Sequence, residues 1–412
     1  MWLLSWLFLL RPALAADACE AARPGEPVRV YLLTTAPGDD LTSLMGHSAL
    51  WVSGGNASRS TVYNWGAFDS RQDAVVMRFL HGTLDFWLDS EKYSSMEKRV
   101  KRERRTLYAQ RLDLEDRAAD RLARELQAGS APEVRNYPYQ WVERNCASQV
   151  RDVLDEATGG ALKAAAASSP LSTTARREVL RHFAQMPPVW FGWNLLAGPY
   201  TDQPLDAYGS LFIPERLFRL VDGVQVRDAL GATRPLVSAR CTLLEGETEF
   251  APAEPPGHLG LLWGLGLGLG GLIVGLGAWP ERAAARRLQG GLVIGVGLAL
   301  GGLGCGMLVV WLISTLSGVG PNPIYLLGSP LSLIGLLGGG RALWRGEHAS
   351  ARPWQRVLLG ALGLAALGAL LCLYWGTDLL GAYGLFLPPL VGALFSVSRV
   401  SAHQSRSPNV SR

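Results

Sequence analysis

Cysteine is scarce, with five in 412 residues, too few for a disulfide scaffold. Charge is also scarce, at 18% of residues with a net of +4. That argues against a disordered chain and against one that wraps a polyanion, so no nucleic-acid partner is expected. Glycine is plentiful at 48 residues, but it lacks the strict three-residue period of collagen. No phosphate-cradling glycine motif occurs. His81, His182 and His258 lack metal-ligand spacing, so neither a metal nor a cofactor is called for. What is present is apolar: 48% of the chain is hydrophobic. A soluble chain of this length suggests two or three domains. Here the average hides a split. Residues 20–255 carry most of the charge, whereas 258–398 are nearly all apolar with glycine.

The N-terminus reads as an export signal over 1–16. Trp2 to Leu10 is a short apolar run, and Ala13-Leu14-Ala15 forms a small-x-small cleavage site before Ala16. No Lys or Arg precedes the run, and Arg11 follows it. A cleaved signal peptide, an uncleaved signal anchor and a lipoprotein signal at Cys19 all stay open, the last fitting worst.

The C-terminal third reads as an all-α polytopic membrane domain, residues 258–398. Leu259–Trp279, Gly291–Ser314, Ile324–Gly340, Val357–Trp375 and Leu379–Val397 are apolar, each about 17–24 residues, the spanning length. The third is the weakest, with Pro330 inside it. Arg282, Arg286 and Arg287 lie between the first two runs. Arg341, Arg345, Arg352 and Arg356 lie between the third and fourth, and Arg399 and Arg406 follow the fifth. The other two loops, Ser317–Asn322 and Gly376–Asp378, carry neither Lys nor Arg. The positive-inside rule therefore places the basic loops and a tail of 399–412 in the cytoplasm. Residues 17–257 then lie outside, as the export signal independently requires.

That outer domain reads as α+β. Val28–Thr34, Ser48–Ser53, Thr61–Trp65 and Leu107–Leu114 are strand candidates, and Gly54-Gly55-Asn56 is a turn. Asp113 is expected to cap a helix over Leu114–Gln127. Arg144–Thr158 is a second amphipathic helix, stopped by Gly159-Gly160. Ala164–Ser169 reads as a small-residue linker, and Pro252–Pro256 as the hinge into the membrane. Lys98, Arg99, Lys101, Arg102, Arg104 and Arg105 form a basic run. It is either a solvated strand or loop face or a contact for anionic headgroups.

Two residues carry candidate chemistry. Cys146 opens the second helix, where free backbone N–H groups and the helix dipole favour a thiolate. His47 starts a strand, and an imidazole near the sulfur would take its proton. Asn64, on the next strand, is the natural group to orient that imidazole. Arg151, one turn past Cys146, either binds a phosphate or carboxylate or pairs with Asp155. Cys19 and Cys241 bracket the exported domain and are expected to pair. Cys305 and Cys372 read as small apolar fillers.

Gly46-His47-Ser48, Tyr63-Asn64-Trp65-Gly66-x-Phe68, Tyr137-x-Tyr139 and Asn145-Cys146-x-Ser148-x-x-Arg151-Asp152 together resemble the periplasmic domain of Lnb-type lipoprotein N-acyltransferases. Trp193, Leu195, Gly198, Asp202 and Phe212-Ile213-Pro214 extend the likeness over roughly residues 28–220. The resemblance implies a circularly permuted papain-like fold, with Cys146 as nucleophile and His47 as base. It makes Asn145, Tyr63, Ser148 and Arg151 candidate substrate contacts. The implied substrates are a membrane phospholipid and a diacylglyceryl lipoprotein at a bacterial inner membrane. The implied reaction moves a fatty acyl group through a thioester to the lipoprotein's N-terminal amine. Two other classes stay open: a membrane-tethered cysteine peptidase or amidase acting on cell-wall peptide, and a non-catalytic membrane protein. The several membrane runs favour the first, since a cell-wall enzyme needs only one anchor.

The charge pattern is testable by reporter fusions. A fusion after Arg406 should report the cytoplasm, and one at Gly320 the outside. An external C-terminus would mean that the helix count is wrong.

Overall fold

The computed structural model describes residues 19–55, 60–227, 231–255, 257–347, 351–375 and 379–403. The signal segment lies outside the described residues, as does the tail from residue 404. The chain divides into two compact units. One comprises 1–190, 203–255 and 315–317, and the other 191–202, 256–314 and 318–412.

The first unit is built on strands β1 (Arg29–Thr35), β2 (His47–Ser53), β3 (Thr61–Ala67), β4 (Phe86–Lys92), β5 (Leu107–Leu112), β6 (Asn136–Tyr137) and β11 (Val237–Leu244). They form one antiparallel sheet in the order β11-β5-β1-β2-β3-β4-β6. Two small ribbons accompany it: β7 (Thr173–Thr174) with β8 (Pro204–Leu205), and β9 (Gln225–Arg227) with β10 (Thr233–Pro235). The helices of the unit are α1 (Val75–His81), α2 (Tyr93–Arg102), α3 (Asp116–Gly129), α4 (Cys146–Ala157), α5 (Ala161–Ala167), α6 (Ala175–Phe183) and α8 (Pro214–Val221). Helix α7 (Pro187–Leu196) follows α6.

Alternation sends side chains to two cores. Val30, Leu32, Leu50, Tyr63 and Trp65 share one core with Leu122 and Leu126 of α3, Val150 and Leu154 of α4, and Leu217 of α8. Tyr31, Leu33, Ala49, Trp51 and Val62 meet Met96 and Val100 of α2 in the other. There the rings of Tyr31, Trp51 and Tyr93 stack with successive centroids 4.4 Å apart. Cys19 and Cys241 are joined by a disulfide, Cα to Cα 6.3 Å, which ties the beginning of the unit to β11.

Three local expectations need correction. Asp113 does not cap α3. It is paired with Arg234, and the helix starts at Asp116 with no side-chain cap. The stretch expected as a linker at 164–169 falls largely within α5, where Leu162 and Ala166 are buried. Alanine is the best helix former, and a buried stripe at spacing four holds it. Most of the basic run is neither strand nor loop but helix α2, whose apolar residues turn inward.

Among the described residues the second unit has helices α9 (Leu259–Leu276), α10 (Ala283–Ile313), α11 (Pro330–Arg345), α12 (Ala351–Trp375) and α13 (Leu380–His403). They supply five stretches long and apolar enough to cross a membrane; the third reaches that length as Pro323–Arg345, α11 together with the 3-10 turn before it, and the fifth is Leu380–Val400. Pro330 does not interrupt the third. It occupies the first turn of α11, where its missing N–H costs nothing, after a 3-10 turn at Pro323–Leu326. Glycines let backbones touch. A Cβ at Gly266 would collide with the Gly384 carbonyl, and one at Gly304 with that of Gly328. A Cβ at Gly290 would lie 2.6 Å from the Gly340 oxygen.

Gly290→Leu should therefore lower the thermal midpoint in detergent, at a cost of about 1–3 kcal/mol for overpacking. Gly295→Leu, with nothing within 4 Å of its Cβ position, should leave the midpoint near wild type. Equal effects would refute glycine-dependent packing at this crossing.

Candidate active site

Asn145 fixes where α4 begins. Its Oδ1 accepts the N–H groups of Ala147 and Ser148 at 2.9 Å each, and Ser148 Oγ accepts the Asn145 N–H at 2.8 Å. This reciprocal capping box leaves Cys146 as the first residue of the helix. Burial pushes the Cys146 thiol up. The backbone N–H groups of Ser48, Ala147 and Cys146 itself, and then the Arg105 charge, pull it down only in part. The resting group is thus a neutral thiol, whereas the helix dipole alone suggested a thiolate. Desolvation outweighs the dipole here.

His47 opens β2, opposite Thr35 of β1. Gly46 before it has φ +79, and a Cβ there would lie 2.7 Å from the Thr35 oxygen. Only glycine allows this approach. Asn64 Oδ1 lies 3.0 Å from His47 Nε2, and Asn64 Nδ2 donates to Glu91 Oε1 at 3.1 Å. Glu91 is held in turn by both terminal nitrogens of Arg99, at 2.9 and 2.7 Å. A carboxylate accepts but does not donate, so it fixes the amide orientation. Asn64 then presents oxygen to His47, Nε2 carries the proton, and Nδ1 is left as the basic nitrogen. Burial pushes the imidazole down to about 4, against the Asn64 bond that raises it; Arg105 and Arg99 lower it further.

Among the described residues no hydrogen bond joins His47 to Cys146. The two converge through Ser48, whose N–H favours the thiolate of Cys146 and whose chain neighbour is His47. Beyond the sulfur, β3 breaks register between Asn64 and Ala67. Gly66 there has φ +86, and its Cβ position lies 3.9 Å from Cys146 Cβ and 3.6 Å from the Tyr139 ring. Burial pushes the Tyr139 phenol up, and the Cys146 thiolate, once formed, would push it further. Arg105 is buried, with Nε on the Ala36 carbonyl at 2.8 Å and Nη1 on Glu103 at 3.0 Å.

The four candidate substrate contacts have other duties. Asn145 and Ser148 are buried and spent on the cap; Asn145 Nδ2 also donates to the Trp141 and Phe212 carbonyls. Tyr63 is buried in the core that packs α4. Arg151 pairs with Asp152 at 2.7 Å, not with Asp155, and lies over the Tyr208 ring. Glu91, Arg99 and Arg105 were not among the sequence candidates. The alternation Phe86-Trp87-Leu88-Asp89 signals β4, but nothing in sequence signals that Glu91 meets Asn64.

Residues 17–181 match the family model of the Lnb N-terminal periplasmic domain. Neither a search of the curated proteins nor one of the solved structures gave a match. A periplasmic-domain match and five membrane-capable helices fit a multi-pass inner-membrane protein.

Buried neutral imidazoles make stability acid-sensitive. Burial also pushes His182 down to about 4. Between an unfolded value near 6.5 and a folded value near 4, the unfolded chain binds more protons, so stability falls with pH across that window and levels off below it. Each histidine accounts for up to about 3 kcal/mol. Thermal midpoints of the full-length protein in detergent should drop from pH 6.5 to 4, and less steeply in His47→Gln. An unchanged slope would show that His47 is not neutral by burial.

Proposed function

We propose that this protein is a thiol-dependent acyltransferase at the outer face of the inner membrane. It moves a fatty acyl group through a Cys146 thioester to the N-terminal amine of a lipoprotein. One observation carries the reading: a helix-opening cysteine whose sulfur meets the backbone N–H of Ser48, the chain neighbour of His47, with the imidazole tautomer fixed by Asn64 and Glu91, in a chain with five membrane-capable helices among the described residues. The match to the Lnb periplasmic domain supports it. So does the order of parts, histidine strand before cysteine helix, which a circularly permuted papain-like fold calls for. The charge pattern supports a cytoplasmic C-terminus.

Both groups being neutral at rest, the proton moves during attack. Nδ1 of His47 takes the thiol proton as sulfur bonds to the ester carbonyl carbon. The ester C–O bond then breaks, and the imidazolium returns the proton to the departing alkoxide. In the second half the amine attacks the thioester. The C–N bond forms, C–S breaks, and the amine proton passes through His47 to the sulfur. Asn64 orients the ring throughout.

Cys146→Ser should abolish transfer, because a hydroxyl of much higher pKa replaces the thiol. His47→Ala should lower it by about 10²–10⁴-fold through loss of the base. The double variant should be no worse than Cys146→Ser alone, since one catalytic unit is being removed. Asn64→Ala should retain weak activity. The readouts are the mass of a lipoprotein's N-terminal peptide and an acyl adduct on Cys146 that persists until an amine is supplied. Normal N-acylation by folded Cys146→Ala would refute the mechanism. An adduct lost to water without amine would favour a hydrolase.

A further inference from the structure

We infer that α1 is an interfacial helix whose apolar side lies in the outer leaflet of the bilayer and which opens the route by which a lipid acyl chain reaches Cys146. The route half rests on the acyl transfer proposed above; the membrane half does not.

Helix α1 reads Val75-Val76-Met77-Arg78-Phe79-Leu80-His81, yet none of these residues is buried. Val76 is 57% and Met77 48% exposed. Its N-terminus has no side-chain cap, and Ala74 takes the left-handed φ of 53 there. Seven residues are too few to hold a helix by propensity in water. A stretch so apolar, with no side-chain cap at its start and no buried residue, needs an apolar medium on one side, and an interfacial helix finds it at the headgroup boundary. Arg78 folds back to donate from Nη2 to the Thr83 carbonyl at 2.9 Å, which keeps its charge off the apolar side, and His81 is exposed at the end of the helix.

Two further observations select the bilayer. First, the His81 carbonyl at the end of α1 accepts a hydrogen bond from Thr315 Oγ1 at 3.0 Å. Thr315 belongs to the same compact unit and follows Ile313, the last residue of the 31-residue α10, by two positions. Where α10 leaves the hydrocarbon, Thr315 stands at the surface, and the end of α1 stands with it. Second, α1 leads to the thiol. The Phe79 ring lies 6.2 Å from Phe86 and 6.1 Å from Tyr139, and those two stack at 4.2 Å. Tyr139 borders Gly66, whose Cβ position lies 3.9 Å from both Cys146 Cβ and the Tyr137 hydroxyl. A mostly apolar, aromatic wall of Phe79, Phe86 and Tyr139 thus runs from the exposed helix towards the sulfur, where the Tyr137 hydroxyl is the polar group at its end.

The test uses full-length protein in liposomes of phosphatidylethanolamine and phosphatidylglycerol. Val76→Cys and Met77→Cys are made with Cys146→Ala, Cys305→Ala and Cys372→Ala, labelled with bimane, and exposed to lipids carrying an acyl-chain doxyl group. Quenching should be several-fold stronger than at Arg121→Cys on the charged face of α3. Equal quenching, or equal access to aqueous iodide, overturns the membrane half. Protection seen only in native membranes would point instead to a protein partner and also overturns it. This readout needs no catalysis, so its failure is distinct from failure of the proposed function. For the route, Val76→Asp/Met77→Asp with Cys146 intact should lose tenfold or more in Cys146 acylation from bilayer lipid. It should keep acylation by a soluble short-chain thiol-reactive ester. Equal loss on both, or loss on neither, overturns the route.

Discussion

The start of helix α4 is the constraint on which the rest of the site depends. One asparagine side chain, Asn145, makes four hydrogen bonds: two accepted from the helix and two donated to the Trp141 and Phe212 carbonyls. It is 3% exposed, so each bond is protected from water, and each buried partner would be costly to strand. The cap sets the residue at which the free N–H groups begin, and Cys146 is that residue. It also pins the Phe212 segment, which leads into α8. Through Pro214 the same segment lies against Gly46, whose Cβ position is 3.7 Å from the proline. The cysteine helix and the histidine strand are thereby positioned from one point.

A buried charge network steadies that arrangement from behind. Arg181 of α6 pairs with Glu178 at 2.8 Å and with Glu215 of α8 at 2.7 Å, and Arg216 returns to Glu178 at 2.8 Å. Such networks specify geometry more than they stabilise, because desolvation cancels most of the attraction. Arg181 also reaches the Pro252 carbonyl at 3.1 Å, so the segment before the membrane helices is held by the same charge. At the front of the site the balance differs. Desolvation keeps both thiol and imidazole neutral, and the fixed amide of Asn64 supplies orientation without adding charge.

The broad plan was legible in the sequence because it rests on composition and period. Runs of apolar residues at spanning length mark the five membrane-capable helices, whatever their packing. The alternation in β1 and β2 and the glycine stop after α4 are local signals of the same kind. Cys146 and His47 could be singled out because residue type and position in an element already carry chemistry. The places where local reading failed are those where a tertiary partner intervened. Asp113 is spent on Arg234 instead of a cap, and Pro330 starts a helix because a turn delivers the chain there.

What the tertiary structure alone decided is the company each group keeps. Glu91 lies 27 residues from Asn64, and strand pairing alone brings them together. That pairing fixes which histidine nitrogen is basic. Arg99 and Arg105 belong to a run that reads as solvated charge. Their inward turn depends on α2 packing on the sheet and on the Ala36 carbonyl meeting Arg105. The protonation state of the thiol is likewise a tertiary property. The helix end is written in the sequence, but the burial that outweighs its dipole exists only once the sheet, the tyrosines and the cap have closed around the sulfur.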